Sequence, residues 1–405
     1  MSIAVPAATP MRRNVTILAA AQMLFQCTQT MSIATTPLAA YAMLGADKTF
    51  ATVPIFLTNL GLMTVTLPAA LLMGRVGRKG GFSLGAFFGM LGGALSFSAI
   101  YFQNFWLLCL GAYLQGSSGA FAWHYRFAAA DMATNEFRAK ALSLVMVGGV
   151  VAGFLGPQTA KWAVDLFDPM LFAGVYAVLA VFALGMLVLV QLVDIPFVAT
   201  PDSGRGGRPM SEIARQPMFI AAVLSSMFGF AVMTLVMSAT PLAMKACGFG
   251  FGDSATVIQW HVVAMFLPSF FTGHLINRFG VLPIIAVGAI LEIGCALVNF
   301  SGIEFANFVV ANILVGVGWN FCYVGGSTLL TSTYKVEEKA KVQGTHDFLV
   351  YTMTATAAAL SGTLQAQAGW SMVNIAALPA LAIVLSAVTW LAVLQRRHGV
   401  TGTAK

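Results

Sequence analysis

Charge is what this sequence has least of. Asp, Glu, Lys and Arg make up 9% of its 405 residues, against roughly 25% in soluble domains, so an ordinary soluble fold is excluded. Acids are the scarcer sign, 14 against 21 basic residues. The patterns of catalysis are missing too: there is no nucleophile, metal-hydrolase or phosphate-loop motif, and Gly80-Gly81 lacks the Lys-Ser/Thr ending of a nucleotide-binding loop. Neither an enzyme nor an ATP-driven pump is expected. Cysteine is sparse, and Cys27, Cys109, Cys295 and Cys322 fall inside apolar runs, where they read as small hydrophobes; only Cys247 lies near a run's end.

What fills the space instead is hydrocarbon. Apolar runs recur at 15–43, 51–73, 82–102, 105–125, 141–163, 171–193, 218–244, 254–276, 281–302, 305–333, 343–366 and 372–394, each long enough to cross a bilayer core of about 30 Å as a helix. The fold class that follows is an all-α polytopic membrane protein with twelve spans. Placed on those spans, 18 of the 21 Lys and Arg residues fall on one side, and only Lys48, Lys161 and Lys245 on the other. Such a bias puts both termini in the cytoplasm. The basic balance therefore reports topology and no nucleic-acid partner. The opening MSIAVPAATPMRRNV reads as the flank of an uncleaved first span.

The longest polar interruption, Asp194 to Pro217, is rich in Gly, Pro and charge. It divides the chain into six-helix halves at 1–193 and 218–405, with 194–217 as a cytoplasmic linker. Two loops repeat at a shift of about 200 residues. Gly74-Arg-Val-Gly-Arg-Lys79 is echoed by Gly273-His-Leu-Ile-Asn-Arg-Phe-Gly280, and Glu136-Phe-Arg-Ala-Lys140 by Glu337-Glu-Lys-Ala-Lys341.

Two six-helix repeats with basic, Gly-containing turns after spans 2 and 8 resemble the major facilitator superfamily. Arg75-Val-Gly-Arg-Lys79 matches the tail of its 2–3 loop motif, with Gly74 in place of the Asp; Gln115-Gly116 and Gly153-Phe-Leu-Gly156-Pro157 match elements of its fourth and fifth helices, with Ala112 where the family has Arg. The resemblance implies a carrier with its substrate site near mid-membrane between the halves, worked by alternating access.

Within the spans, Met233-Thr-Leu-Val-Met237 puts two thioethers at i and i+4 in the seventh, and His261-Val-Val-Ala-Met265 puts imidazole and thioether at the same spacing in the eighth. Each pair lies on one helix face. Because consecutive spans are antiparallel, Met237 and His261 share one depth and Met233 and Met265 another, giving two adjacent layers. Methionine is also an ordinary gap-filler and a lone histidine often bonds a neighbouring helix, yet an ionisable residue at this depth is a functional candidate. Four neutral, soft donors suit Cu(I); they are wrong for Mg, Ca or Mn, and zinc sites normally bring thiolate or carboxylate. Met233, Met237, His261 and Met265 are thus the candidate metal residues, with copper as cargo and no cofactor.

A superfamily chain with these motifs in spans 7 and 8 resembles its bacterial copper importers, which supply assembly of cbb3-type cytochrome c oxidase. The resemblance alone implies import across the bacterial cytoplasmic membrane, a periplasmic copper donor and a cytoplasmic acceptor. Two alternatives stay open: a carrier of an organic molecule such as riboflavin or a drug, and a non-transporting scaffold for copper or oxidase assembly. Among other polar residues, Glu292 is the one acid deep in a span. His124 and His346-Asp347 lie near cytoplasmic ends, and Gln22, Gln26, Cys27 and Met31 sit in the first span without being expected as ligands.

Overall fold

A computed structural model of the chain describes residues 8–133, 138–195 and 207–397. Its helices, in chain order, are α1 Ala8–Met43, α2 Val53–Tyr101, α3 Phe105–Ala122, α4 Tyr125–Met132, α5 Arg138–Ala163, α6 Ala173–Gln191, α7 Met210–Ile213, α8 Pro217–Ala246, α9 Phe251–Phe266, α10 Ser269–Phe279, α11 Val281–Ser301, α12 Phe305–Thr331 and α13 Lys339–Arg397. No strand occurs among the described residues. Six helices are long and apolar enough to cross a membrane, seven when the bent pair α9 and α10 counts as one.

Two of these, α2 with 49 residues and α13 with 59, are about twice the length a bilayer needs. Each is broken by a glycine at positive φ, Gly77 in α2 and Gly369 in α13, so each supplies two spans. Together with α1, α5 and α3 continued by α4, the described residues give twelve crossings. Their bounds follow the apolar runs closely. The differences are that the chain stays helical through most of the expected loops at 74–81 and 367–371, and that the eighth span is bent by 43° at Leu267-Pro268.

The repeated loop has a shared backbone cause. Gly77 adopts φ 80° and ψ 162°, and Gly280, its counterpart in the second copy, φ 90° and ψ 159°. A Cβ is disfavoured at such φ, which is why glycine stands at that point of both copies. Glycine serves a different end at Gly116, where a Cβ would run into the Thr58 carbonyl. Beside it, Gln115 Nε2 donates to the Gly89 carbonyl at 3.2 Å. Gln115-Gly116 thus packs α3 against both limbs of α2.

Apolar side chains collect into separate cores. One runs from Val15 to Val193, a second gathers Met31, Leu108 and Tyr176, and a third spans Ile213 to Leu391. Across the middle, α5 packs on α9 and α2 on α13. Near one end of the molecule, Gln158 Nε2 donates to Gln259 Oε1 at 2.6 Å and Lys161 Nζ to Thr256 Oγ1 at 2.7 Å, both from α5 to α9. Lys48 and Lys245 lie there as well, over the ring of Tyr41 at 4.3 and 5.4 Å. These are the three lysines that the charge count puts outside, so on that count this is the outer end.

At the opposite end Arg208, within the linker, makes a bidentate pair with Glu338 at 3.0 and 2.8 Å, and its backbone N–H donates to Glu338 Oε1 at 2.7 Å. Lys341 Nζ donates to the Arg208 carbonyl, and Arg208 Nη2 to that of Thr333 at 3.0 Å. The second copy of the acidic-basic loop thus fastens the later part of the linker; Glu136 of the first copy lies outside the described residues. The Arg208 guanidinium, with the Lys335 amide, holds the Glu338 carboxyl well below the usual range. A depressed acid contributes stability above its unfolded pKa, about 4.3, and loses it only as pH falls through the lowered folded value. The clamp's contribution to the melting temperature in detergent is therefore constant from about pH 8 to about pH 5, whereas Glu338→Gln lowers that temperature throughout. A clamp contribution that fades over this range would refute the assignment.

Candidate functional site

α8 and α9 meet α12 and the inner faces of α1, α2 and α3 around one cavity of about 140 Å³. Three of the four candidate residues, Met233, Met237 and Met265, are in its wall, with Gln26, Trp123 and Trp319. The fourth is not. His261 is fully buried and turned toward α12, where its Nδ1 lies 2.8 Å from the Asn312 carbonyl. The two-layer picture from sequence therefore needs one change: the thioethers share a cavity, and the imidazole stands behind the wall.

That bond decides the tautomer. A carbonyl can only accept, so Nδ1 carries the proton and Nε2 bears the lone pair. Nε2 is buried and has no hydrogen-bond partner. An orphaned buried acceptor costs about 1–3 kcal/mol, and a backbone carbonyl on the far ring nitrogen is the usual orienting contact of a metal-binding histidine. Pro241, four residues after Met237, has no N–H to give to the Met237 carbonyl. Among the described residues no three His, Cys, Asp or Glu side chains form a cluster able to hold a metal. Any metal chemistry here would have to rest on the thioethers and His261.

Phe230 and Trp319 of the cavity wall belong to a larger cluster of aromatic rings. Trp319 stacks on Tyr323 with centroids 5.3 Å apart and planes at 8°, and Phe230 meets Trp319, Tyr323 and Tyr351 edge-on at 5.3, 5.5 and 6.3 Å. Beyond them, the Arg126 guanidinium lies 5.7 Å from the Trp123 ring. Sequence reasoning missed this layer: Trp319 and Tyr323 are one turn apart on α12, but Phe230 and Tyr351 come from α8 and α13, and no local spacing ties them to it.

The other polar residues separate clearly. Gln26 lines the cavity, while Cys27 and Met31 are buried away from it. Glu292 is buried on α11 beside Gly229 and Gly318, outside the cavity wall, with neither carboxyl oxygen hydrogen-bonded. His124 Nδ1 donates to the Ala120 carbonyl at 3.0 Å, and His346 Nδ1 lies 2.9 Å from Asp347 Oδ1.

The sequence profile of the Major Facilitator Superfamily matches residues 18–291. The chain belongs to that superfamily. This transporter is 38% identical over 380 residues to the riboflavin transporter RfnT of Brucella anthropi, covering 93% of this chain and 95% of the relative. It is 30% identical over 346 residues to YdeG of Bacillus subtilis, an uncharacterized transporter of the same type, covering 81% and 80%. Among solved structures, the fold is shared with PepTSo, a transporter of the POT family (TM-score 0.76, 10% identity, 96% and 99% covered), and with the nucleoside transporter NupG (0.71, 14%, 93% and 99%). The expected resemblance to copper importers finds no support in these relatives. The one whose name states a substrate carries riboflavin, which on relatedness favours the organic-substrate alternative over copper.

Proposed function

We propose that this major facilitator is a secondary transporter of copper as Cu(I), moved by alternating access across the bacterial cytoplasmic membrane, inward, to supply oxidase assembly. The observation that carries the reading is three thioethers facing one small cavity, with His261, whose Nε2 is buried without a partner, on the helix behind its wall. Those donors suit a soft monovalent cation. A cavity of about 140 Å³ also falls below the roughly 300–1,000 Å³ typical of sites for drug-sized ligands.

The second reading is a carrier of an organic molecule of the riboflavin kind, and the 38% identity to a riboflavin transporter over nearly the whole chain favours it. The aromatic layer of Trp319, Tyr323 and Phe230 would give a flat ring system a surface to stack on. Uptake into liposomes separates the two. On the copper reading, reduced copper accumulates saturably in the lumen and excess riboflavin leaves the rate unchanged. Riboflavin accumulation, or its inhibition of copper uptake, establishes the organic carrier; copper retained on the protein without reaching the lumen establishes a scaffold.

A further inference from the structure

Helix α9, which presents His261 and Met265, stops at Phe266, and α10 resumes after Leu267 and Pro268 at 43° to it. Proline at 268 has no N–H to continue the helical ladder. Asn320 of α12 lies across this break. Its amide nitrogen donates to the Met265 carbonyl at 2.7 Å and to Ser269 Oγ at 2.7 Å, and its Oδ1 accepts from Thr272 Oγ1 at 2.7 Å. The residue is 1% exposed. Both amide hydrogens and the carbonyl oxygen are thus used, one on the last turn of α9 and two on the first turn of α10.

The same face of α12 serves α9 at two further points, four and eight residues earlier. At Gly316 a Cβ would stand 2.8 Å from the His261 carbonyl and 3.3 Å from the Met265 nitrogen, so the backbones are in close approach. At Asn312 the carbonyl holds His261 Nδ1. Asn312, Gly316 and Asn320 are spaced i, i+4, i+8 and so form one stripe. Every hydrogen bond that fixes the His261 and Met265 backbone or ring from α12 comes from this stripe.

We propose that Asn320 is a positioning residue for the cargo: by pinning the Met265 carbonyl to the same side chain that grips α10, it fixes where the Met265 thioether stands in the cavity and ties that position to the bend at Leu267-Pro268. The proposal rests on the copper reading of the cavity. Asn320 touches no cargo. Without it the last turn of α9 swings with α10, and Met265 occupies its ligand position for a smaller fraction of the time. Affinity falls by that fraction while the rate of the loaded step is kept.

The test uses the full chain in liposomes, with initial rates of reduced-copper uptake measured against free copper for Asn320→Ala, Met265→Ala and the double variant. Asn320→Ala raises the half-saturating concentration about tenfold, with the maximal rate within about twofold of the parent. In the Met265→Ala background the same change adds nothing, because residues acting through one contact are not additive. Equal effects in both backgrounds, or a lowered maximal rate at unchanged half-saturation, overturn the proposal and leave the copper reading standing. If Met265→Ala itself leaves half-saturation unchanged, the copper reading of Met265 fails and the proposal goes with it. Should Asn320→Ala fail to fold, Thr272→Val removes only the hydroxyl that orients the amide. It raises half-saturation about threefold, and no change overturns the proposal.

Discussion

Copper uptake by His261→Asn falls at least about tenfold while the protein stays folded and at its normal level. The substitution is chosen by atoms. The amide nitrogen of an asparagine stands close to where Nδ1 stands in histidine, so the donor to the Asn312 carbonyl is kept. Nothing replaces the lone pair of Nε2. A variant of Ala in its place would mix that loss with a cavity and an unpaired carbonyl, each costly in its own right. The measurement is uptake of reduced copper in liposomes, beside melting temperature and protein yield. Undiminished uptake by His261→Asn, or by the double variant Met237→Ala, His261→Ala, would remove the metal site altogether.

The second large effect is at the outer end. Gln158 and Gln259 meet at 2.6 Å and Lys161 and Thr256 at 2.7 Å, all between α5 and α9, while Gly153 of α5 has Val262 and Val263 of α9 against it. These contacts close the side from which, on the copper reading, an imported ion would arrive, with Gln259 only two residues along α9 from His261. Alternating access requires them to part in every cycle. Gln158→Cys with Gln259→Cys, bridged by a short bifunctional maleimide, therefore loses at least about nine-tenths of its uptake. A monofunctional maleimide leaves most of it. The native thiols do not interfere with this comparison, since Cys27, Cys109, Cys295 and Cys322 are buried and Cys247 is a single exposed thiol away from both positions in sequence. Retained transport in the bridged protein would mean that this end stays shut through the cycle and that the cargo passes elsewhere.

The spans were legible because a bilayer demands about 20 apolar residues per crossing, and helix bounds such as 217–246 and 281–301 follow that demand almost residue for residue. Gly77 and Gly280 were legible as a repeated turn. Their positive φ was not, since the letters give a glycine and the backbone angle comes from folding. At the site, local spacing brought Met233, Met237 and Met265 to one cavity. It did not show which way His261 turns, which is set by a carbonyl 51 residues away on α12. The same limit hid the Arg208–Glu338 clamp, 130 residues apart, and the Asn320 bridge, 55 residues from Met265. Periodicity shows which side chains share a face; it carries no information about what that face meets.

The cavity wall contains amides, hydroxyls, thioethers and rings, and no side chain with a formal charge. On the copper reading, a monovalent cation held there would keep its whole charge, so the loaded rocking step would carry a net positive charge through the membrane field and the empty return step none. Each such charge moved inward gains about 2.3 kcal/mol per 100 mV of inside-negative voltage. On that reading the membrane voltage would act as a one-way bias on the carrier, with the cargo itself as the gating charge.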